Sequence, residues 1–424
     1  MIPRTLRPSI LVPKLLHDKQ FRRYWAASTI SVLGDGVTSI ALPLTAALVL
    51  QADSAQMGLL NALAWAPSLL FAWYAGALAD RVGRQRAMMI TADLGCFALL
   101  ASIPLCYAWG VLTLWQLYAV VFATGACSVL FNVCDATLFA SLVRPAQYVE
   151  GQSLLYGSQA VSSLAGPSLG GLLIQALSAP LAVVTDAVTF LLSALLLSRG
   201  DSLEPSPDSK SPGGSSRDGI RFIRRSRVIG TALGTAATVN FFNLAFHTLL
   251  VLYLTRVLHC GAGRIGILLA AEAVGGVIGA AITTRIERSL GVGRALLIGS
   301  VTISAPLMII PMCTEVNPLA MGAIFMALLA SGFGRAVQNV SIGSIFSAVV
   351  PHSFRSRVRG SFQTVSFGAR LIGALLGGAL GTVIGLRPSL LIGAVGGTLV
   401  FMWFLPTNHA TFRIAAGALS SASE

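Results

Sequence analysis

The chain has 424 residues, 55% hydrophobic and only 11% charged, with a mean hydropathy of +0.78. A soluble chain of this size carries about a quarter charged residues, so a water-soluble globule is excluded and helices packed in lipid are expected. The net charge of +13 does not imply nucleic acid, because the basic residues lie in short gaps between apolar runs rather than in one patch.

A membrane-spanning helix needs about 20 apolar residues. The segment 1–24 is basic, lacks the apolar stretch of a cleavable leader, and is expected to be cytoplasmic. Apolar runs then predict helices at 25–50, 55–79, 87–108, 112–142, 151–176 and 180–198, a first bundle over 25–198. The Pro-, Ser- and Gly-rich "RGDSLEPSPDSKSPGGSSRDG" follows, then "IRFIRRSRVIG". Together they make 199–227 a cytoplasmic linker ending in a basic amphipathic helix on the anionic leaflet. Helices at 228–256, 264–284, 295–313, 319–349, 361–384 and 388–406 form a second bundle over 228–406, and 407–424 is a cytoplasmic tail. The expected fold class is an all-α membrane protein of twelve transmembrane helices in two six-helix bundles.

Basic residues orient this arrangement. Of the 29, only Arg256, Arg264 and Arg387 fall outside and two lie within helices, which leaves 24 on the side of the amino terminus. That asymmetry places both termini in the cytoplasm, in the cytoplasmic (inner) membrane. Of the six cysteines only Cys260 and Cys313 could meet an oxidising exterior, and no Cys or His spacing suggests a metal. No cofactor is expected. The absence of HExxH and Walker A motifs argues against a membrane-embedded metalloenzyme and against ATP-driven transport. A transport-dead sensor would need an added soluble domain.

The two bundles repeat. A shift of 207 residues lays "ATGACSVLFNVCDATLF" (123–139) on "ASGFGRAVQNVSIGSIF" (330–346), with Ala123/Ala330, Gly125/Gly332, Asn132/Asn339, Val133/Val340 and Phe139/Phe346 identical. Shifts of 208 and 209 pair Gly58 with Gly266 and Gly151 with Gly360. Two parallel six-helix halves are a transporter design, with the substrate site between them near mid-membrane.

Polar residues inside the helices mark the pathway, because burying them in lipid is costly. They form stripes at i, i+3, i+4 and i+7: Ser31, Asp35 and Thr38; Ser128, Asn132 and Asp135; Asn240, Asn243 and His247; Arg335, Gln338 and Asn339. Asp35 lies about 16 Å along its helix, close to mid-membrane. There it suits a carrier that binds and releases a proton, and Glu272 is similarly deep. Asp135 is a third proton-coupling candidate, or a structural partner. The alternative for these acids is static pairing with Arg335 or Arg370. Arg335 suits either an anionic substrate or the role of counter-charge to Asp35. Asp93 and Asp186, nearer helix ends, are expected to be solvated or locally hydrogen-bonded.

"GALADRVGRQR" (76–86) resembles the signature G-x-L-A-D-R-x-G-R-[RK]-x of the major facilitator superfamily, with Gly76, Leu78, Asp80, Arg81, Gly83 and Arg84 matching. Gln85 departs and Arg86 supplies the charge. The second-half counterpart, "GAAITTRIERSLGVGRAL" (279–296), is degraded, with no Asp in the place of Asp80. "SLLYGSQAVSSLAGPSLGG" (153–171) is similar to an exporter-associated motif through Gly166, Pro167, Gly170 and Gly171, with serines at its two upstream glycine positions. The family's arginine in helix 4 is absent. "FRRYWAASTISVLGDGVTSIALPL" (21–44) resembles the branch of enterobactin-type siderophore exporters and macrolide efflux pumps.

The resemblance implies a monomeric secondary transporter working by rocker-switch alternating access. It further implies proton-coupled efflux of a hydrophobic or amphipathic small molecule such as a drug, antibiotic or siderophore. The partners it implies are the lipid bilayer, the substrate and H+. It gives Gly76, Asp80, Arg81, Gly83, Arg84 and Arg86 the role of a cytoplasmic latch stabilising the outward-facing state. An importer or lipid-moving facilitator of the same fold is the alternative.

Overall fold

The computed structural model describes residues 14–199, 221–223, 226–315, 317–351 and 354–405, with the side chains of several residues between 72 and 82 excepted. The first half contains α1 (Lys19–Leu44), α2 (Ser54–Val82), α3 (Gln85–Ala108), α4 (Leu114–Leu142), α5 (Tyr148–Leu177) and α6 (Ala179–Ser198). The second contains α7 (Arg227–Arg256), α8 (Ala262–Leu290), α9 (Val292–Ser304), α10 (Pro318–Val349), α11 (Arg355–Val383) and α12 (Leu386–Thr398). Eleven helical segments are long and apolar enough to cross a membrane. The 29-residue α2, packed beside α4 and α11, makes the twelfth. Among the described residues there is no strand.

Local chemistry sets the helix ends. Asp18, Thr113, Ser226 and Asn317 cap α1, α4, α7 and α10, each side chain accepting a hydrogen bond from an otherwise unpaired backbone N–H. α9 tightens into a 3-10 turn at Ala305–Met312, where Pro306 and Pro311 cannot donate to an α-helical ladder. Gly83 and Gly291 take left-handed φ values of 67° and 83° at the two-residue turn between α2 and α3 and the one-residue turn between α8 and α9. α2 runs on to Val82, so Asp80 and Arg81 occupy its last turn and not a loop. Most of the linker, all of the tail and residues 1–13 lie outside the described residues, as does much of the expected amphipathic helix. All six cysteines are free thiols, Cys260 and Cys313 included.

Packing reproduces the repeat. In the first half α1 lies on α5 and α6, α2 on α4, and α3 on α4 and α6. In the second α7 lies on α11 and α12, α8 on α10, and α9 on α10 and α12. The halves meet where α2 crosses α11 and α5 crosses α8, two contacts that the same offset interchanges.

These crossings are backbone on backbone. A Cβ on Gly58 would lie 2.9 Å from the Gly378 Cα, and one on Gly266 would lie 2.9 Å from the Gly171 Cα. Gly58 and Gly266 sit one turn into α2 and α8; Gly171 and Gly378 sit in the last two turns of α5 and α11. Both contacts therefore lie toward the face opposite the one where α1 begins and α12 ends. On that opposite face Arg256 Nη2 also donates to the Ala52 carbonyl at 2.8 Å, tying α7 to the loop before α2.

The buried core follows this asymmetry. On the opposite face one cluster joins both halves, with Ile40, Leu44 and Met57 beside Phe246, Leu249 and Tyr253. On the terminal face it splits in two, one part around Phe21, Tyr24 and Phe139, the other around Ile229, Ile345 and Val358. The halves are thus joined on one face and parted on the other.

Overpacking a close contact costs about 1–3 kcal/mol, and here the strain falls between the halves. Gly266→Leu is expected to prise the opposite face apart. Spin labels at exposed Val111 and Leu319, on that face in different halves, should then report a longer distance than in wild type. An unchanged distance would mean that the glycine contact does not hold that face.

Candidate functional site

Asp35 stands where the open space converges. It lies in the middle of α1, yet its side chain is exposed and lines three adjoining cavities. The first, of about 450 Å³, runs toward the terminal face past Ser31, Asn132 and Asp135. The second, of about 360 Å³, is lined by Thr38, Asn61, Trp65 and Ser128. The third, of about 170 Å³, reaches Asp186. Among the described residues Asp35 has neither a hydrogen-bond nor an ion-pair partner. Asp135 accepts a 2.7 Å hydrogen bond from the Tyr24 hydroxyl.

The second half gathers its polar residues into one network. Arg335 Nη2 and Nε donate to Glu272 Oε1 at 2.6 and 3.2 Å, and Nη2 also donates to Asn243 Oδ1 at 2.9 Å. His247 Nε2 lies 3.1 Å from Glu272 Oε2. Two glycines make this possible. A Cβ on Gly275 would overlap the Leu329 carbonyl, and one on Gly332 would overlap that of Glu272, so α8 and α10 approach closely three residues from Glu272 and from Arg335. Arg370 Nε donates to Asn240 Oδ1 at 3.1 Å, and its guanidinium lies 4.2 Å from the Trp65 ring centroid. That cation–π contact reaches across the halves from α11 to α2.

Several expectations need correction. Arg335 pairs with Glu272, not with Asp35. Gln338 is buried and donates to Ser300 at 2.9 Å, so its side chain serves the α9–α10 contact rather than the cavity. Asn339, next in sequence, is exposed and lines a cavity of about 420 Å³ with Glu272 and Arg335. Of the two alternatives for Asp93 and Asp186, solvation fails, since they are 1% and 0% exposed, while local hydrogen bonding holds for Asp186, which accepts from Thr189 at 3.0 Å. Both face inward from α3 and α6, so nearness to a helix end did not bring water.

In the signature segment, Gly83 provides the turn, Arg84 is exposed, and Arg86 lies in the first turn of α3. The side chains of Asp80 and Arg81 and the surroundings of Gly76 lie outside the described ones. The second-half segment does keep an acid. Glu287 stands 207 residues after Asp80 and accepts from Ser341 Oγ at 2.9 Å and Ser344 Oγ at 3.2 Å, tying α8 to α10.

The exporter-like motif is a packing device with two faces. A Cβ on Gly166 would come within 2.7 Å of the Gly36 Cα on α1, and Gly170 lies against Val37. Gly171 and the Pro167 carbonyl meet Gly266 on α8. The same pattern, "GALLGG" (373–378), recurs at the 207-residue offset from "GPSLGG" (166–171). There Gly373 and Gly377 press on Phe241 and Ala245 of α7, and Gly378 meets Gly58.

A family model described as Major Facilitator Superfamily matches residues 24–370. An uncharacterised MFS-type transporter, YfiS of Bacillus subtilis, is 27% identical over 390 residues, covering 90% of this chain and 91% of the relative. The multidrug efflux pump Tap of Mycobacterium tuberculosis is 28% identical, covering 86% and 88%. The enterobactin exporter EntS of Shigella flexneri is 26% identical, covering 86% and 85%. Among solved structures, the nucleoside transporter NupG (D323A mutant) superposes with a TM-score of 0.75 at 12% identity, covering 92% of this chain and all of the other. A bacterial ferroportin homologue in the inward-facing state gives 0.71 at 16% identity, covering 91% and 98%. The latter two likenesses speak to the fold alone. The chain is a multi-pass membrane transporter, not an enzyme, and belongs to the major facilitator superfamily.

Proposed function

We propose that the protein exports a hydrophobic or amphipathic small molecule from the cytoplasm in exchange for protons, as a monomer working by alternating access, with both termini cytoplasmic. The observation that carries this reading is Asp35. It is an exposed carboxylate at the meeting point of the cavities with no cationic partner among the described residues, whereas Glu272 is engaged by Arg335. An acid with no cationic partner at mid-membrane depth can take up and release a proton without first giving up an ion pair. In this reading the terminal face is the cytoplasmic one, the parted core is the inward-facing entrance, and the glycine crossings close the outside. The likeness over 86% of the chain to a protein named as a multidrug efflux pump and to one named as an enterobactin exporter supports the direction.

The decisive measurement is a substrate-panel efflux assay in vesicles with an imposed pH gradient. Asp35→Asn is expected to abolish gradient-driven movement while leaving the protein in the membrane. Full activity in that variant would remove Asp35 from coupling, and uptake that follows an inward proton gradient would reverse the direction.

Asp80 and Arg81, at the cytoplasmic end of α2 in this reading, are proposed as the latch that favours the outward-facing state. Asp80→Asn should move the population toward the inward-facing state, with a roughly fivefold rise in maleimide labelling of Cys127, the change that about 1 kcal/mol produces. Cys127 lines the 450 Å³ cavity. An unaltered labelling rate would remove the latch.

A further inference from the structure

His247 decides the charge of the second-half network. Its Nδ1 lies 3.1 Å from the Asn243 carbonyl oxygen and its Nε2 lies 3.1 Å from Glu272 Oε2. Both are acceptors when Glu272 is ionised, and a neutral imidazole has one N–H. Both contacts are satisfied only when the His247–Glu272 pair holds one proton beyond neutral histidine and carboxylate. With the Arg335 guanidinium the network then carries one net positive charge.

Nothing else nearby cancels that charge. The charged groups facing His247 are Glu272 from α8, Arg335 from α10 and, through Asn240 two turns away on α7, Arg370 from α11. Residues 45–49, 54–79 of α2, 295–304 of α9 and 388–398 of α12 contain no charged residue. Asp35 belongs to the wall of the other half.

Arg335 has room for a ligand. Its Nε and Nη2 are used by Glu272 and Asn243, while its Nη1 has no partner among the described residues. The side chain is 33% exposed and lines the 420 Å³ cavity with Ser163 and Asn339. Leu269, Ala273 and Val277 make the rest of that wall apolar. Beside Arg335, the Asn243 Nδ2 is buried with no acceptor.

We propose that Arg335 and the protonated His247–Glu272 pair form a proton-dependent site for the anionic group of an amphipathic substrate. The inference rests on reading this cavity as the substrate path. A carboxylate, sulfonate or phosphate oxygen takes the open edge of Arg335, and the apolar body lies along Leu269 and Val277. The proton enters the pair from cavity water and no other bond changes. Proton and anion together leave the site neutral, which lowers the cost of closing it away from water. When the pH rises the shared proton leaves, the network becomes neutral, and the anion is held less well.

The test uses the full-length chain in nanodiscs of zwitterionic lipid. The probe is dansylglycine, a carboxylate on an apolar fluorophore, with dansylcadaverine, the same fluorophore on an ammonium, as charge control. Dansylglycine is expected to bind about tenfold more tightly at about pH 6 than at about pH 8.5, and dansylcadaverine is not. Arg335→Gln should lose about tenfold or more at the lower pH. Glu272→Gln removes the proton-holding pair and frees Arg335, so it should bind tightly and almost equally at both pH values. A gain of that kind cannot come from misfolding.

Adding phosphatidylglycerol to the discs identifies the source of the anion. Competition with dansylglycine points to a lipid headgroup, its absence to a free amphiphile, and either result keeps the site. Wild-type binding that ignores pH, or undiminished binding in Arg335→Gln, overturns the proposal. The coupling role of Asp35 is read from efflux, without this probe, so the two can fail separately.

Discussion

The architecture depends on two places where helices of different halves touch backbone to backbone. In lipid, apolar side chains gain little by leaving one greasy surface for another, so helices associate through close packing instead. Gly58 on Gly378 and Gly171 on Gly266 provide that closeness, and a side chain on any of the four would separate the halves. The two contacts are interchanged by the internal repeat, so they can act together as one pivot. A single core joins the halves on the face that holds the pivot, and two separate cores hold them together internally on the other. Each half can therefore move as a body.

The pivot also explains why the exporter-like motif tolerates serines at its upstream positions. Gly166, Gly170 and Gly171 are the residues that press on α1 and α8. Ser162 lies one turn earlier, where its side chain is buried and its hydroxyl reaches toward the Thr29 carbonyl at 3.5 Å. A small hydroxyl is accommodated there between α1 and α5. Glycine is demanded only where the separation is smallest.

Periodicity was the legible part of this protein. Helix count, the two halves and the stripes on α1, α4 and α7 follow from spacing, because apolar length and face repetition are what a bilayer selects. Depth and facing were harder to read. Distance from a helix end does not set solvation for Asp93 and Asp186, because burial depends on which neighbour a face meets, and both are buried. Gln338 shares a stripe with Arg335 and Asn339, yet a stripe spanning i to i+4 is wide enough for Asn339 to line the cavity while Gln338 meets Ser300. The "GALLGG" copy of the motif lay in plain sight at the same offset.

That offset separates scaffold from chemistry. Where helices touch, matched positions carry matched residues: Gly171 with Gly378 and Gly166 with Gly373 at 207, and Gly58 with Gly266 at 208. Where the cavities lie, they diverge. Ser128 corresponds to Arg335, and Ser163 to Arg370. These two arginines of the second half have different settings: Arg370 rests on the face of Trp65, while Arg335 is gripped by Glu272. A cation over an aromatic ring keeps its full charge, whereas an ion pair cancels it until a proton arrives. The same backbone thus presents two electrostatically distinct walls. Because the divergent positions are not the four glycines of the pivot, the chemistry of either wall could change while the backbone contacts on which both halves move stay as they are.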